Sequence, residues 1–330
     1  MSKHPAIFVS IACFMDRDLL HTINDLYSKA RHPERIHVGV CLQDDPERDR
    51  FSTLARFRQV RVDRLPYTEA RGPIYARARC EALIEDEDFF FQIDCHSRFF
   101  PDWDTILIEE FRRCQELAEK PVLSHYPINI QNMNDEEKLG LIGKINRFRH
   151  VGADDIKMHG SLVRIPELPV VSYGITAAML FMDCRQRLSV PLDPNLHFGL
   201  HSAEQFFYSA RLWTHGFDFL TPTRHAIATE YLTTRDRLPD KVRRDYNSRA
   251  SGWRARTWTK VKYYLQLDDL AQVDPAYQED VIENRDRFGL GKDRRIGDYY
   301  RFIGLHTQLP QYFPYYARQA DSVTAGTGHQ

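Results

Sequence analysis

Phe89-Phe90-Phe91-Gln92-Ile93-Asp94-Cys95-His96-Ser97-Arg98-Phe99 is a run of bulky apolar residues that stops abruptly at Asp-x-His. Such a run suits a strand buried on both faces of a parallel sheet. Side chains at i and i+2 of a strand point to one side, so the Asp94 carboxylate and the His96 imidazole converge just beyond the sheet. Open α/β sheets bind ligands outside the carboxyl ends of their strands, where this pair falls. Two readings follow. Either Asp94 and His96 hold a divalent cation that neutralises a diphosphate, or Asp94 caps the next element in a polar loop after an edge strand.

The flanking sequence builds the rest of such a sheet. Residues 6–14 are a continuous apolar run, 16–30 carry Leu19, Leu20, Ile23, Leu26 and Tyr27 at helical spacing, and 36–43 are apolar again. Strand, helix, strand over so short a stretch is a βαβ unit whose right-handed crossover makes a parallel pair. This is a Rossmann-like start, without the GxGxxG of a dinucleotide site. A shorter strand is expected at 60–65. Gly72-Pro73 then turns the chain into a helix over 74–84, which places Arg71 and Arg77 at a loop and the helix it opens. That arrangement suits an anion; the other reading solvates Arg77 and Arg79 or pairs them with Glu81, Glu85 and Asp86. A helix from 101 to about 117, a strand over 122–127 and a polar, loop-rich excursion over 131–160 on the acceptor side follow. Residues 170–183 resume the core, and their small residues would let a ligand approach the backbone. A helix over 205–214 ends at His215-Gly216, and a final strand pair runs from 217–220 to about 231.

Composition sets limits on partners. With 45 basic and 46 acidic residues the net charge is −1, so the whole chain offers no electrostatic case for nucleic acid or membrane. No segment approaches the roughly 18 apolar residues of a membrane span, and no hydrophobic leader precedes the first strand. Six scattered cysteines without a CxxC pair are expected to be reduced core thiols, which points to the cytoplasm. From about Thr233 the chain changes character: Arg235, Arg237, Lys241, Arg243, Arg244, Arg249, Arg254, Arg256, Lys260 and Lys262 alternate with Tyr246, Trp253, Trp258, Tyr263 and Tyr264. This mixture reads as a phosphate or nucleic-acid surface, or as a solvated helical face with aromatic packing. The residues after Arg318 read as a frayed tail.

The segments 7–14, Arg71-Gly72 with Ala76-Arg77, Phe91 through Phe99, Glu204 with 210–219, and 289–304 together resemble the polypeptide N-acetylglucosaminyltransferases of glycosyltransferase family 60. Founding members of that family glycosylate hydroxyproline on a cytoplasmic ubiquitin-ligase adaptor. More distantly, the layout is similar to mucin-type N-acetylgalactosaminyltransferases, which also use Asp-x-His. The resemblance implies an α/β chain of the GT-A (Rossmann-like nucleotide-diphospho-sugar transferase) fold over 1–232, with a mostly helical, basic and aromatic extension over 233–330. It also implies a UDP-sugar donor, with GlcNAc the best guess, Mn²⁺ or Mg²⁺, retention of anomeric configuration, and a hydroxyl acceptor on a protein or peptide. Carried over by position, Asp94 and His96 hold the metal and reach the donor, and Ser10, Arg71 and Arg77 lie near the donor. Glu204 joins Asp94 as the catalytic carboxylate, meeting the donor sugar or the incoming hydroxyl. These families supply a third metal ligand, a histidine, after the last core strand; here the place reads Thr229-Glu230-Tyr231, so Glu230, or His225 after a register shift, takes that role. Two further readings stand beside this one: transfer to a hydroxylated base in DNA, and a sugar-nucleotide-binding relic without turnover.

Overall fold

In the computed structural model of the chain, residues 5–47, 51–150, 156–199, 202–231 and 238–308 are described. The expected tail after Arg318 and the basic residues Arg235 and Arg237 lie outside them. The elements run β1 (Ile7–Phe14), α1 (Leu19–Lys29), β2 (Ile36–Asp44), β3 (Val60–Pro66), α2 (Pro73–Glu81), β4 (Phe89–Asp94), β5 (Ser97–Phe99), α3 (Trp103–Gln115), β6 (Pro121–Leu123) and β7 (Ile128–Asn129). After α4 (Glu136–Leu139) come β8 (Leu141–His150), β9 (Ile156–Arg164), β10 (Val170–Val171), β11 (Met179–Asp183), α5 (Cys184–Leu188), α6 (Phe207–Thr214), β12 (Asp218–Thr221) and β13 (Ile227–Thr229). Four helices close the described chain: α7 (Asp240–Tyr264), α8 (Pro275–Glu283), α9 (Arg285–Phe288) and α10 (Ile296–Phe302).

The apolar runs form the centre of one eight-stranded sheet of order β10-β12-β6-β11-β4-β1-β2-β3. β1 pairs in parallel with both β2 and β4, as continuous burial on both faces requires. β11 enters antiparallel between β4 and β6. Phe89, Phe111 and Phe181 meet edge-on or stacked at centroid distances of 5.1 to 5.9 Å, and Phe91 stacks on Trp103 at 5.6 Å, which fixes α3 against the sheet. The same apolar core continues through Trp258, Val261, Tyr264, Tyr277, Val281, Tyr299 and Tyr300 of the C-terminal helices. No helix among the described residues is long and apolar enough to cross a membrane.

Three local expectations change. The stretch expected to be loop-rich contains the antiparallel ribbon β8–β9, because Ile142, Ile145 and Phe148 on one strand and Ile156 and Met158 on the other give it a buried face. The two last core strands do not pair with each other: β12 joins the large sheet beside β6, while β13 lies between β5 and β7 in a small second sheet. Arg79 takes Asp63 of β3, at 2.6 and 2.7 Å, in place of a neighbour in sequence. That bidentate pair ties α2 to the sheet edge.

Candidate active site at the end of β4

The alternation that buries Phe90 and Phe91 delivers Asp94 to the carboxyl end of β4, in the middle of the sheet. His96 follows across a tight turn, its Nε2 3.8 Å from Asp94 Oδ2. On its other side, Nδ1 lies 3.0 Å from Oδ2 of Asp16, a buried carboxylate just after β1. Asp16 is itself held by the Asp18 N–H, which donates to Oδ1 at 2.9 Å. Burial works against a charge on His96, but the Asp16 hydrogen bond, with Cys95 and Asp94, outweighs it and brings the pKa up to about 10. Cys95 lies in the same cluster. Its pKa is pushed well above the ordinary thiol value by its contact with Cys13 and by burial, so without a cation beside it Cys95 is a neutral thiol.

A second charged group faces this pair from α2. Gly72 caps the helix at φ +100°, and a Cβ there would stand 2.9 Å from the Phe198 backbone, so only glycine allows this entry. From the second turn, the nearly buried Arg77 places Nη2 3.5 Å from Asp94 Oδ1 and donates to the Ala177 carbonyl at 3.3 Å. Its Nη1 pairs with the carboxylate of Glu204, which is also buried and sits in a one-turn π-helix, Ser202–Phe206, at the head of α6. π-turns of this kind recur at functional sites because they re-aim one side chain. Arg77 thus bridges the two carboxylates. Burial pulls its pKa down and Asp94 pulls it back up.

Asp16, Arg77, Asp94 and His96 border a cavity of about 310 Å³ whose lining also includes Ala12, Phe14, Gln43, Gly72 and Tyr246, while Glu204 lies outside that lining. Tyr246 reaches it from α7, packing against Phe14 at 5.0 Å and Phe198 at 5.2 Å. For a divalent cation the fit is good: one carboxylate and one imidazole, oriented by a buried second carboxylate, stand about as far apart as two ligands of one ion with bonds near 2.1 Å.

The remaining candidates divide. Glu230 donates its backbone N–H to the His96 carbonyl at 3.2 Å, beside the pair. His225 does not join them. Its Nε2 meets the Leu141 carbonyl at 2.9 Å, and its ring faces Phe100 and His125. It lines a separate cavity of about 430 Å³ with Tyr126, Ile128, Asn129, Met158, Tyr231 and neighbours. Burial lowers the pKa of His225 and, with His225 beside it, takes that of His125 down to about 3, so both rings are neutral. Ser10 is fully buried two residues below Ala12, outside the first cavity. Arg71 is exposed and lies over the Tyr75 ring at 5.4 Å, at the rim. Among the lining residues, Asp16 and Gln43 were given no role from the sequence, and Tyr246 was read only as part of the basic, aromatic stretch. For Asp16 a signal existed, an acidic residue immediately after the first parallel strand, on the edge where ligands bind.

Comparison with known proteins places this geometry. No curated protein matches the sequence. Among solved structures, GalNAc-T7 with UDP, GalNAc and Mn²⁺ superposes with a TM-score of 0.60 at 14% identity, covering 95% of this chain and 59% of that one. This chain therefore spans well under two thirds of that relative. S. aureus TarS 1–349 gives a TM-score of 0.45 at 13% identity over 93% of each chain. The fold is that of the GT-A transferases, with a helical C-terminal region. A family model described as glycosyltransferase (GlcNAc) matches residues 6–56 and 44–308, nearly the whole described chain. The chain belongs to this GlcNAc glycosyltransferase family.

Proposed function

We propose that this enzyme transfers GlcNAc from UDP-GlcNAc to a hydroxyl of a polypeptide with retention of configuration, in the manner of glycosyltransferase family 60. The observation that carries the proposal is the Arg77 bridge: one buried guanidinium spans Asp94 and Glu204 beside His96 at the end of β4. In this reading the 310 Å³ cavity holds the donor, with Tyr246 and Phe14 against its nucleoside and Asp94, His96 and Arg77 at its diphosphate. GalNAc-T7, solved with UDP and Mn²⁺, supports a nucleotide-sugar donor and a divalent ion. Six free, buried cysteines support a reducing compartment such as the cytoplasm. The expected division into a catalytic part over 1–232 and an extension over 233–330 is kept as part of the proposal, with Tyr246 as the extension's contribution to the donor cavity.

The demanding step is departure of the diphosphate. Negative charge grows on its oxygens as the bond to the sugar C1 breaks, and a cation held by Asp94 and His96, with Glu230 as the third ligand that the resemblance implies, would supply charge compensation there when bound. Arg77 adds a fixed positive charge in a water-poor site. Asp16 keeps the His96 ring turned so that Nε2 faces Asp94. The acceptor oxygen attacks C1 on the face the diphosphate leaves, and its proton passes to the departing phosphate oxygen; one C–O bond forms as the other breaks. Glu204, already committed to Arg77, positions the sugar and the acceptor hydroxyl.

The test is UDP release from a panel of UDP-sugars with Mn²⁺ and with chelator. Release is expected from UDP-GlcNAc, dependent on metal, and reduced at least 10³-fold in Asp94→Ala, about 4 kcal/mol of lost transition-state stabilisation. A fully active Asp94→Ala enzyme would sink this reading.

A further inference from the structure

The β8–β9 ribbon carries two arginines, Arg147 and Arg149, that no described residue pairs with. Its alternation turns Phe148 and Met158 inward, with Phe148 against Phe206 at 5.3 Å, and this leaves Arg147, Arg149, Lys157 and His159 exposed on the other face. The register sets Arg147 opposite His159 and Arg149 opposite Lys157. Arg149 and Lys157 are like charges facing each other across the ribbon, which weakens it. Neither Arg147 nor Arg149 makes an ion pair with any described residue, and neither strand contains an Asp or Glu. Two exposed arginines on one face that pair with no described residue are suited to an anionic partner.

We propose that this face and the 430 Å³ cavity beside it dock the acceptor, and that the acceptor is an acidic segment of a polypeptide in extended conformation. The proposal rests on the polypeptide-directed activity above and specifies its substrate. His159 belongs to both surfaces, since it lines the cavity as well as the cationic face. Across the cavity stands Tyr231, next in sequence to Glu230, whose N–H is bonded to the His96 carbonyl. A chain lying along the ribbon is therefore led toward the end of β4. Ile128 and Asn129 of β7 and Met158 to Leu162 of β9 wall the cavity, and among the described strands each of these two has a single partner. Strand edges of this kind offer backbone hydrogen bonds to an extended peptide.

The charge pattern distinguishes a polypeptide from a nucleic acid. Between positions 135 and 167 the chain holds Lys138, Lys144, Arg147, Arg149, Lys157 and Arg164, but also Asp135, Glu136, Glu137, Asp154, Asp155 and Glu167. A uniformly charged phosphate backbone gains little from so balanced a region. A peptide with carboxylates at chosen positions can meet the arginines and avoid the acids.

The experiment uses the full chain and three fluorescein-labelled probes: a hydroxyproline peptide flanked by glutamates, the same peptide with glutamines, and a duplex DNA. Fluorescence anisotropy is expected to show the glutamate peptide binding about tenfold more tightly than the glutamine peptide. The preference should shrink with salt, vanish in Arg147→Gln/Arg149→Gln and reverse in Arg147→Glu/Arg149→Glu, with circular dichroism confirming that both variants are folded. A preference that survives both variants, or tighter binding of DNA than of the glutamate peptide, would overturn the proposal. UDP release by the wild-type protein, measured alongside, separates the two ideas: a glutamate preference without release supports the docking surface and counts against the proposed donor chemistry.

Discussion

Helix α7 and the β8–β9 ribbon are both rich in arginine and lysine, and the two regions use that charge in opposite ways. On α7, Arg249, Arg256, Lys260 and Lys262 are answered from within. Lys260, wholly buried, reaches Asp193 at 2.6 Å and also pairs with Asp280. Lys262 meets Asp268 at 2.6 Å, and Arg256 meets Asp274 at 3.4 Å. Arg249 pairs with Asp245 at 2.9 Å and donates to the carbonyls of Ala70 and Tyr67 at 2.6 and 3.1 Å. These contacts hold the helix to the loop ahead of Gly72 and so bring Tyr246 to the cavity at the end of β4. The basic and aromatic character that could have signalled nucleic acid here joins the helix to the catalytic sheet. On the ribbon, Arg147 and Arg149 have no such partners among the described residues and face outward. Whether a basic stretch builds structure or meets a partner is decided by the acids around it, not by its own composition.

That contrast can be broken in several places. The largest effect is expected at Lys260→Met, which strands Asp193 as an uncompensated buried charge and should lower stability by about 3–5 kcal/mol. The midpoint of urea unfolding measures it, and a loss under about 1 kcal/mol would mean that the helix is held by its apolar face alone. Asp16→Asn probes a buried charge that aims a ligand instead of welding a helix. Mn²⁺ affinity, followed by the electron-spin signal of the free ion, should fall about 10–100-fold while the unfolding midpoint moves little; unchanged affinity would remove Asp16 from the site. The smallest effect belongs to the ribbon. Arg147→Ala/Arg149→Ala should leave stability within about 0.5 kcal/mol of wild type, because exposed cations without partners contribute almost nothing to folding. A clear destabilisation would show that these arginines are structural after all and would erase the difference from α7.

Much of the site was legible because it depends on local pattern. Asp94 and His96 flank the turn at the end of β4, and the apolar run before them leaves one way for the strand to lie. Gly72 was readable as the start of a helix, as was the Gly216 stop, which adopts φ +85°. The ribbon was not: a bulge between Ile145 and Arg147 breaks its alternation, so period-two reading fails where the strand is most polar. Asp16 was passed over because its partner His96 lies 80 positions away.

By itself, then, the sequence determined the parallel β1, β2 and β4, since continuous apolar runs can be buried only in the middle of a covered sheet, and with them the place of the Asp-x-His pair. Tertiary structure alone decided which charges meet: Arg77 with Glu204, His96 with Asp16, Lys260 with Asp193, and Arg147 and Arg149 with no described residue. The physical reason is range. Hydrophobic periodicity is a property of neighbours along the chain, whereas an ion pair forms within about 4 Å between groups that only the folded backbone brings together.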